Sequence, residues 1–461
     1  MSDKMTTLPT PPRIRMRILA SGIMASLLLL PGRLDAREPD AAPGADGIGM
    51  IKSYSLDFNW GEWRRFAEPG RWSGADPAEH VAWYKAMGAN VIQTFAVSCN
   101  GYAWYKNGVV PEQPGLEHDF LPEVVRLGQK EGMLVFGYFC IAANTRWGNE
   151  NPDYSYGTPA DYHIPYTDAY LAYLAAAIED AVGRTGIDGF MVDWLWQPKR
   201  LSTDGKWLAS EKALYEQLMG EAFPGEDHLT PEQDLAYSRK AIDRTWKTIR
   251  AAARRANPEC IIWVTVNNIR HPHVVDSDMY QEADWLMNEA GDMQGIEAVK
   301  PMVGEHTRLI TCLAHWNRQD ATRVVPQALE AGVGLYGFTR PRTDCGIVPL
   351  EPILARPVNE LRGDDRNIAA LARAFHNLPM EAVWTADPEV GIGHHLGQAL
   401  DAPVLMVKAC IGNRALGWDL LPPGSERFEF GGKIHAGYRD SYSNVQGPWE
   451  KGPEPAEPDH E

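Results

Sequence analysis

Cysteine is scarce in this chain: six in 461 residues (Cys99, Cys140, Cys260, Cys312, Cys345 and Cys410), with no CxxC pair among them. That spacing gives no support to a zinc site or to thioredoxin-like redox chemistry, and it is too sparse for a disulfide framework. Most of these thiols are therefore expected to be small buried hydrophobes. Positive charge is also short. Lys and Arg number 44 against 61 Asp and Glu, a formal net charge of −17, which argues against nucleic acid or an anionic membrane surface as a partner, because both reward a basic face. Beyond the N-terminal region no apolar run approaches the roughly 20 residues needed to cross a bilayer. No GxSxG, Walker or Gly-rich dinucleotide motif occurs in a strand–helix context, which leaves acyl transfer and hydride transfer without a basis. A neutral substrate fits the net negative charge better.

The N-terminus reads as a secretory leader. Arg13, Arg15 and Arg17 precede the apolar stretch Ile18 to Leu30, and Leu34-Asp35-Ala36 offers a small residue for cleavage before Arg37. Removal of residues 1–36 would leave a protein without a membrane anchor, in a periplasm or outside the cell.

Aromatic residues are plentiful, with 16 Trp and 17 Tyr, most of them expected in the core and the rest suited to stacking on sugar faces. Between a Pro/Gly-rich lead-in at residues 37–48 and the Pro-rich acidic tail, the chain alternates strand and helix. Eight strands are expected: Ile51 to Asp57, Asn90 to Val97, Leu134 to Cys140, Phe190 to Trp194, Ile261 to Val266, Trp285 to Asn288, Leu309 to Ala314, and Val333 to Phe338. Helix start signals intervene at Asp76-Pro77-Ala78-Glu79, Asp119, Thr167, Thr230-Pro231-Glu232-Gln233, Asp320 and Asp365, and only the helix between strands five and six is poorly marked. Eight strands alternating with helices, and no phosphate fingerprint after the first strand, predict a closed (β/α)₈ TIM barrel over residues 49–380. A small C-terminal appendage is expected at 381–446 and a disordered acidic tail at 447–461. Residues Gln197 to Leu229 form a long insertion after strand four, with a helix of its own at Glu211 to Glu221.

In a barrel of this kind the chemistry sits at the C-terminal ends of the strands. The run GIDGFMVDWLW (Gly186 to Trp196) is apolar on both faces and then delivers Asp193, the first catalytic candidate. Polar and aromatic residues gather at the other strand ends: Asp57, Asn59 and Trp60; Asn100, Tyr102 and Trp104; Tyr138; Trp196; Asn267 and Asn268; His315 and Trp316; Arg340. Such residues hold neutral sugars, with amides and carboxylates on hydroxyl pairs and rings under C–H faces. Glycoside hydrolysis needs two carboxyl groups, and Asp193 with Glu289 can supply them from strands four and six, whose ends can face each other across the barrel mouth. The apolar surround of Glu289 would raise its pKa toward that of a general acid. Structural alternatives are a loop-bonded carboxylate for Asp193 and a capping or hydroxyl-binding group for Glu289, with Glu282, Asp284 and Asp292 as rivals. His271-Pro272-His273 and His394-His395 read as loop and surface residues.

The runs CNGYAWY, PEQPGLEHDFLPEVVRLGQKEGMLVFGYF and NPDY (Cys99 to Tyr154), with VDWLW and ADWLMNEAGDM, resemble bacterial glycosyl-hydrolase-like barrels related to α-L-fucosidases and to β-galactosidase-like barrels. The resemblance runs over roughly residues 50 to 345. It implies a retaining exo-glycosidase that uses no metal or organic cofactor and acts on a carbohydrate partner, with Asp193 at the place of the nucleophile, Glu289 at that of the acid/base, and His315 and Trp316 lining the sugar subsite. The first strand reads SYSLDFNW and lacks the usual fucose-binding His motif. A galactosidase-like hydrolase and a catalytically silent glycan-binding barrel are the competing readings.

Overall fold

The computed structural model describes residues 48–62, 65–157, 163–195, 204–377, 428–430 and 433–435. Eight parallel strands close into a barrel with helices outside, the (β/α)₈ architecture expected. In chain order the barrel strands are Lys52–Leu56, Val91–Val97, Leu134–Cys140, Gly189–Asp193, Ile261–Val266, Trp285–Asn288, Arg308–Leu313 and Gly334–Thr339. Each pairs with its sequence neighbours, and Ser55 opposite Phe338 closes strand one onto strand eight. Strands two to five are buried along their whole length, which is why their sequences are apolar on both faces.

The period-two pleat decides which side chains face the axis. Phe136, Trp263, Trp285 and Tyr336, from strands three, five, six and eight, meet one another inside the barrel: ring centroids lie 5.6 Å apart for Phe136–Trp263, 4.6 Å for Phe136–Trp285 and 5.2 Å for Trp263–Tyr336. Strand four yields to this aromatic floor with Gly189, where a Cβ would come within 2.5 Å of the Phe136 ring and 2.3 Å of the Ile261 carbonyl oxygen. Counting by twos from the floor, Asp193, Asn267, Glu289 and Arg340 also turn inward at the upper rim. On strand one Tyr54 packs outward against Trp83 of the first helix, so Ser53, Ser55 and Asp57 face the axis.

The helix signals act largely as read. Asp76 Oδ1 accepts from the backbone N–H groups of Ala78 (2.7 Å) and Glu79 (3.1 Å), and Gly88 ends the helix Pro77–Met87 in the left-handed conformation at φ 74°. Thr230 and Gln233 form a reciprocal capping box on Pro231–Ala256. Asp119 differs, since its carboxylate accepts from Lys106 N (2.8 Å) in the preceding loop and leaves its helix uncapped. Between strands five and six the helix is a five-residue turn, Asp278–Glu282, which explains its weak sequence signal.

The insertion after strand four builds its own helix at Ala209–Met219 and a second small core of Trp207, Leu214, Tyr215 and Tyr237. Glu211 lies at its centre, fully buried, accepting hydrogen bonds from the Tyr156 and Tyr237 hydroxyls. Tyr156 belongs to the loop after strand three, so this carboxylate ties the insertion to a neighbouring loop on the catalytic face. Within the segment read as an appendage, Phe428–Phe430 and Lys433–His435 pair as a short antiparallel hairpin. The leader and the acidic tail lie outside the described residues. Among those described, no helix is long and apolar enough to cross a membrane.

Candidate active site

Asp193 ends strand four with both carboxylate oxygens held: Tyr138 Oη donates to Oδ2 at 2.6 Å, and the backbone N–H of Trp194 donates to Oδ1 at 2.7 Å. Burial pushes its pKa up to about 6 against the pull of these two donors. Glu289 follows strand six, its backbone N–H bonded to Val266 O at 3.0 Å. Burial first, and then the charge of Asp193, push its pKa well above the usual glutamate range, while a hydrogen bond from Asn267 opposes them. Asp57, just past strand one, is pushed up to about 7, mainly by burial; a bond from Asn59 N (2.8 Å) and the charge of Arg340 oppose this, and the charge of Asp193 adds to it. The rim therefore gathers three mutually repelling carboxyl groups. Strands four and six do not face each other across the mouth: only strand five separates them, so the two acids share one wall, with Asn267, just past strand five, at Glu289. Neighbouring strands lie about 4.8 Å apart, so two inward-reaching side chains converge from origins roughly 10 Å apart.

The other expected site residues divide. Trp60 stands half-exposed on a short hairpin formed by Trp60–Glu62 and Arg65–Phe66. Its ring lies 4.9 Å from Phe66 and 6.3 Å from Trp194; Phe66 is 5.7 Å from Trp194, and the His163 ring stacks on Trp194 at 5.5 Å. This aromatic wall beside Asp193 includes Phe66 and His163, which the sequence reading missed because the hairpin strand of Phe66 is only two residues long and His163 sits in a loop, so neither shows a regular spacing. Arg340 is exposed at the rim, near enough to Asp57 to act on its charge. Trp316 is 40% exposed, next to His315 on the short turn His315–Asn317. Trp196 lies outside the described residues.

Several candidates prove structural. Asn59 spends its side-chain carbonyl on Cys99 N (2.9 Å). Asn100 exchanges bonds with Gln113 and accepts from Tyr102 N (3.2 Å), so its amide holds a loop together and is unavailable to a sugar. Trp104 is buried, its indole N–H on Ser98 Oγ (2.7 Å) and its ring 4.3 Å from Phe58. Tyr102 packs under the Arg146 guanidinium. Asn268 shapes a turn, accepting from Arg270 N at 3.3 Å. Tyr138 acts through Asp193, which its hydroxyl holds, so its role is positioning.

The rival acids are accounted for elsewhere. Glu282 and Asp284 precede strand six and so lie at the opposite end of the barrel; Glu282 accepts from the Trp246 indole (2.8 Å), and Asp284 from Arg254 and from Ile262 N. Asp292 caps the helix Met293–Val299. His271 and His273 are loop neighbours, the N–H of His273 donating to His271 Nδ1 at 3.2 Å. Cys99, Cys140, Cys260 and Cys312 are buried free thiols, as expected, whereas Cys345 is partly exposed and Cys410 lies outside the described residues.

A closed barrel with acids and an aromatic wall at its C-terminal rim is an arrangement that glycoside hydrolysis can use. Residues 76–194, which run from the first helix to the end of strand four, match the family model described as "Hypothetical glycosyl hydrolase 6", bearing out the resemblance read from the sequence. Among solved structures, the chain is similar in fold to α-L-fucosidase isoenzyme 2 from Paenibacillus thiaminolyticus, with TM-score 0.52, 14% identity, and coverage of 73% of this chain and 51% of that one. The glycoside hydrolase domain of PgaB (BpsB) from Bordetella bronchiseptica aligns at TM-score 0.48 and 13% identity, covering 71% of this chain and 99% of that domain. The chain thus spans about half the length of the fucosidase it matches. No curated protein matches its sequence.

Asp57 carries a prediction of its own. Its carboxyl is held protonated by burial up to about pH 7, so the folded protein binds this proton more tightly than the unfolded chain. Its contribution to stability then falls as pH rises, from the unfolded carboxylate range near pH 4 until the penalty is complete above about pH 7. Asp57→Asn should leave stability unchanged at pH 4 and raise it by on the order of 1–3 kcal/mol at pH 8. Thermal melts at the two pH values check this; equal midpoints at pH 8 would show Asp57 already ionised at little cost.

Proposed function

We propose that the protein is an exported retaining exo-glycosidase of the α-L-fucosidase-like kind, acting on neutral glycans in a periplasm or outside the cell. One observation carries the reading. Two carboxyl groups share one wall of the rim in unlike surroundings: Asp193, raised by burial to about 6, has both oxygens bonded to donors, whereas burial and the Asp193 charge push Glu289 well above the usual glutamate range. Environments that push two acids apart assign their roles. The donors on Asp193 favour its ionised form, able to attack an anomeric carbon, while the surroundings of Glu289 favour the protonated form that a leaving oxygen needs.

In this mechanism Asp193 Oδ displaces the aglycone oxygen as Glu289 protonates it, giving a glycosyl ester on Asp193. Deprotonated Glu289 then takes a proton from water, which attacks the same carbon and restores Asp193 and the protonated Glu289, so the configuration is retained. Tyr138 and the Trp194 N–H fix the direction of attack, and the wall of Trp60, Phe66, Trp194 and His163 offers ring faces to a pyranose. A charged anionic sugar would meet the Asp193 carboxylate, which favours a neutral one.

The test is a panel of nitrophenyl α- and β-fucosides and galactosides, with the first-formed anomer followed by ¹H NMR. Release of α-L-fucose with retained configuration is expected. Preference for a galactoside would move the substrate assignment, an inverted first product would replace the covalent mechanism with a single displacement, and no turnover would leave a glycan-binding barrel.

A further inference from the structure

Two of the buried thiols meet in the barrel wall beside Asp193. Cys99 stands two residues past strand two, and Cys140 is the last residue of strand three; these strands are neighbours, with Val97 opposite Phe139. Both cysteines are buried, and their side chains are in hydrogen-bonding contact. Neighbouring strands run about 4.8 Å apart, so residues that face each other across them hold their Cα atoms within the range of about 4.4–6.8 Å that a disulfide spans. The structure holds the pair as thiols, the reduced state of such a site.

The other thiols lie elsewhere. Cys260 comes just before strand five, at the opposite end of the barrel; Cys312 is on strand seven; Cys345, beyond strand eight, is bonded to Thr343 Oγ1 at 3.1 Å. Chain order selects the same two residues. Cys99 and Cys140 are the first two cysteines of the sequence, about 40 residues apart, so a chain that emerges N-terminus first presents them together before any other thiol.

We propose that Cys99 and Cys140 are a disulfide site, closed while the chain folds outside the cytoplasm and then buried beside the catalytic acid. This rests on the reading of the protein as exported, because such bonds persist in oxidising compartments and are rare in reducing ones. The oxidant is the disulfide of a thiol–disulfide oxidoreductase. One cysteine loses its proton and attacks that disulfide, giving a mixed disulfide and one thiolate on the oxidant. The second cysteine loses its proton, attacks the sulfur of the first and expels the other oxidant thiolate. One Sγ–Sγ bond forms, and the two protons and two electrons leave the chain to give the oxidant's dithiol.

Burial sets the timing. In the folded barrel, burial first and then the contact with Cys140 push the Cys99 thiol well above its ordinary range, which deprives the exchange of thiolate. The bond therefore closes before strands two and three are covered, and once covered it is shielded from reductant. Its place gives it a second consequence. Cys99 Sγ lies 3.6 Å from the Tyr138 hydroxyl that holds Asp193, and Cys140 is opposite Asp193 in the register of strands three and four, so the bond braces the two strand ends around Tyr138.

The test needs neither a substrate nor a cell. The full chain is synthesised cell-free, once with oxidised glutathione and a disulfide oxidoreductase and once with dithiothreitol, and the soluble protein is alkylated in denaturant, digested and mapped by mass spectrometry without reduction. The oxidised sample is expected to yield one peptide pair joined through Cys99 and Cys140, and to alkylate two thiols fewer than the six of the sequence. Folded, it should keep the bond in dithiothreitol and lose it at least about tenfold faster in denaturant. Its thermal midpoint should lie about 3 °C or more above that of the reduced sample, a difference that vanishes in Cys140→Ser. Should that variant not fold, the peptide map of the parent decides alone.

Six alkylated thiols in the oxidised sample, or a map joining Cys99 or Cys140 to any other cysteine, would overturn the proposal. Fusion of residues 1–36 to alkaline phosphatase, active only after export, tests the other reading separately. If the bond forms cell-free while the fusion stays inactive inside the cell, the disulfide site stands and the assignment of the protein as exported falls.

Discussion

Asp193→Ala is expected to lower glycoside turnover by about 10⁴-fold or more with the fold intact, the scale of loss seen when a covalent nucleophile is removed. The structural basis is the pair of donors on its oxygens: Tyr138 at 2.6 Å and Trp194 N at 2.7 Å leave an oriented carboxylate facing the barrel mouth. Stability should change little near pH 7. A buried acid raised to about 6 costs more to ionise in the folded state than in the unfolded one, so deleting it offsets part of the lost hydrogen bonding. Loss of turnover with a preserved melting midpoint is therefore the expected pair of results. Added azide should restore activity on an activated aryl glycoside by entering the space of the lost carboxylate and yielding a glycosyl azide of inverted configuration. A variant that melts far below the parent would make Asp193 a structural carboxylate.

Glu289→Gln should produce the second large effect, and a more selective one. Burial and the Asp193 charge push its carboxyl pKa well above the usual glutamate range, with Asn267 as the opposing donor. General acid assistance is worth about 10²–10⁴ in rate. The loss should approach the upper figure for substrates with poorly departing alcohols and shrink toward none for dinitrophenyl glycosides, which leave without a proton. The pH profile fixes the sign. In the parent, kcat/KM should rise with pH as Asp193 ionises, near pH 6, and fall at higher pH as Glu289 loses its proton; in Glu289→Gln the alkaline fall should vanish. An alkaline limb surviving in Glu289→Gln would give the acid role to another group, with Asp57 first in line.

What the sequence disclosed follows the range of the physics involved. The barrel was legible because strand and helix signals are local: Phe190-Met191-Val192 is apolar on both faces, and Asp76 and Thr230 cap as short-range rules require. Asp193, Glu289, Asp57 and Arg340 were placed at the rim for a related reason, since each ends or closely follows an expected strand, and the pleat turns them inward. Loop residues carried no such parity. Asn59 and Asn100 look like sugar ligands beside a strand end, yet their amides close on Cys99 and Gln113, partners chosen by the path of the whole loop. Phe66 and His163 were overlooked for the same reason in reverse: only the folded loops bring them to Trp194. The relation of strands four and six was open to correction from topology alone, because in a closed barrel of sequential strands four and six flank five and cannot stand opposite.

The account rests most heavily on Asp193 forming a bond to the sugar. Incubation with a 2-deoxy-2-fluoro glycosyl fluoride of the sugar identified by the substrate panel should trap that ester, and digestion with mass spectrometry should place one glycosyl unit on the peptide GFMVDWLW, at Asp193. A label on Glu289 or Asp57, or turnover that proceeds with no labelled enzyme at any stage, would contradict it.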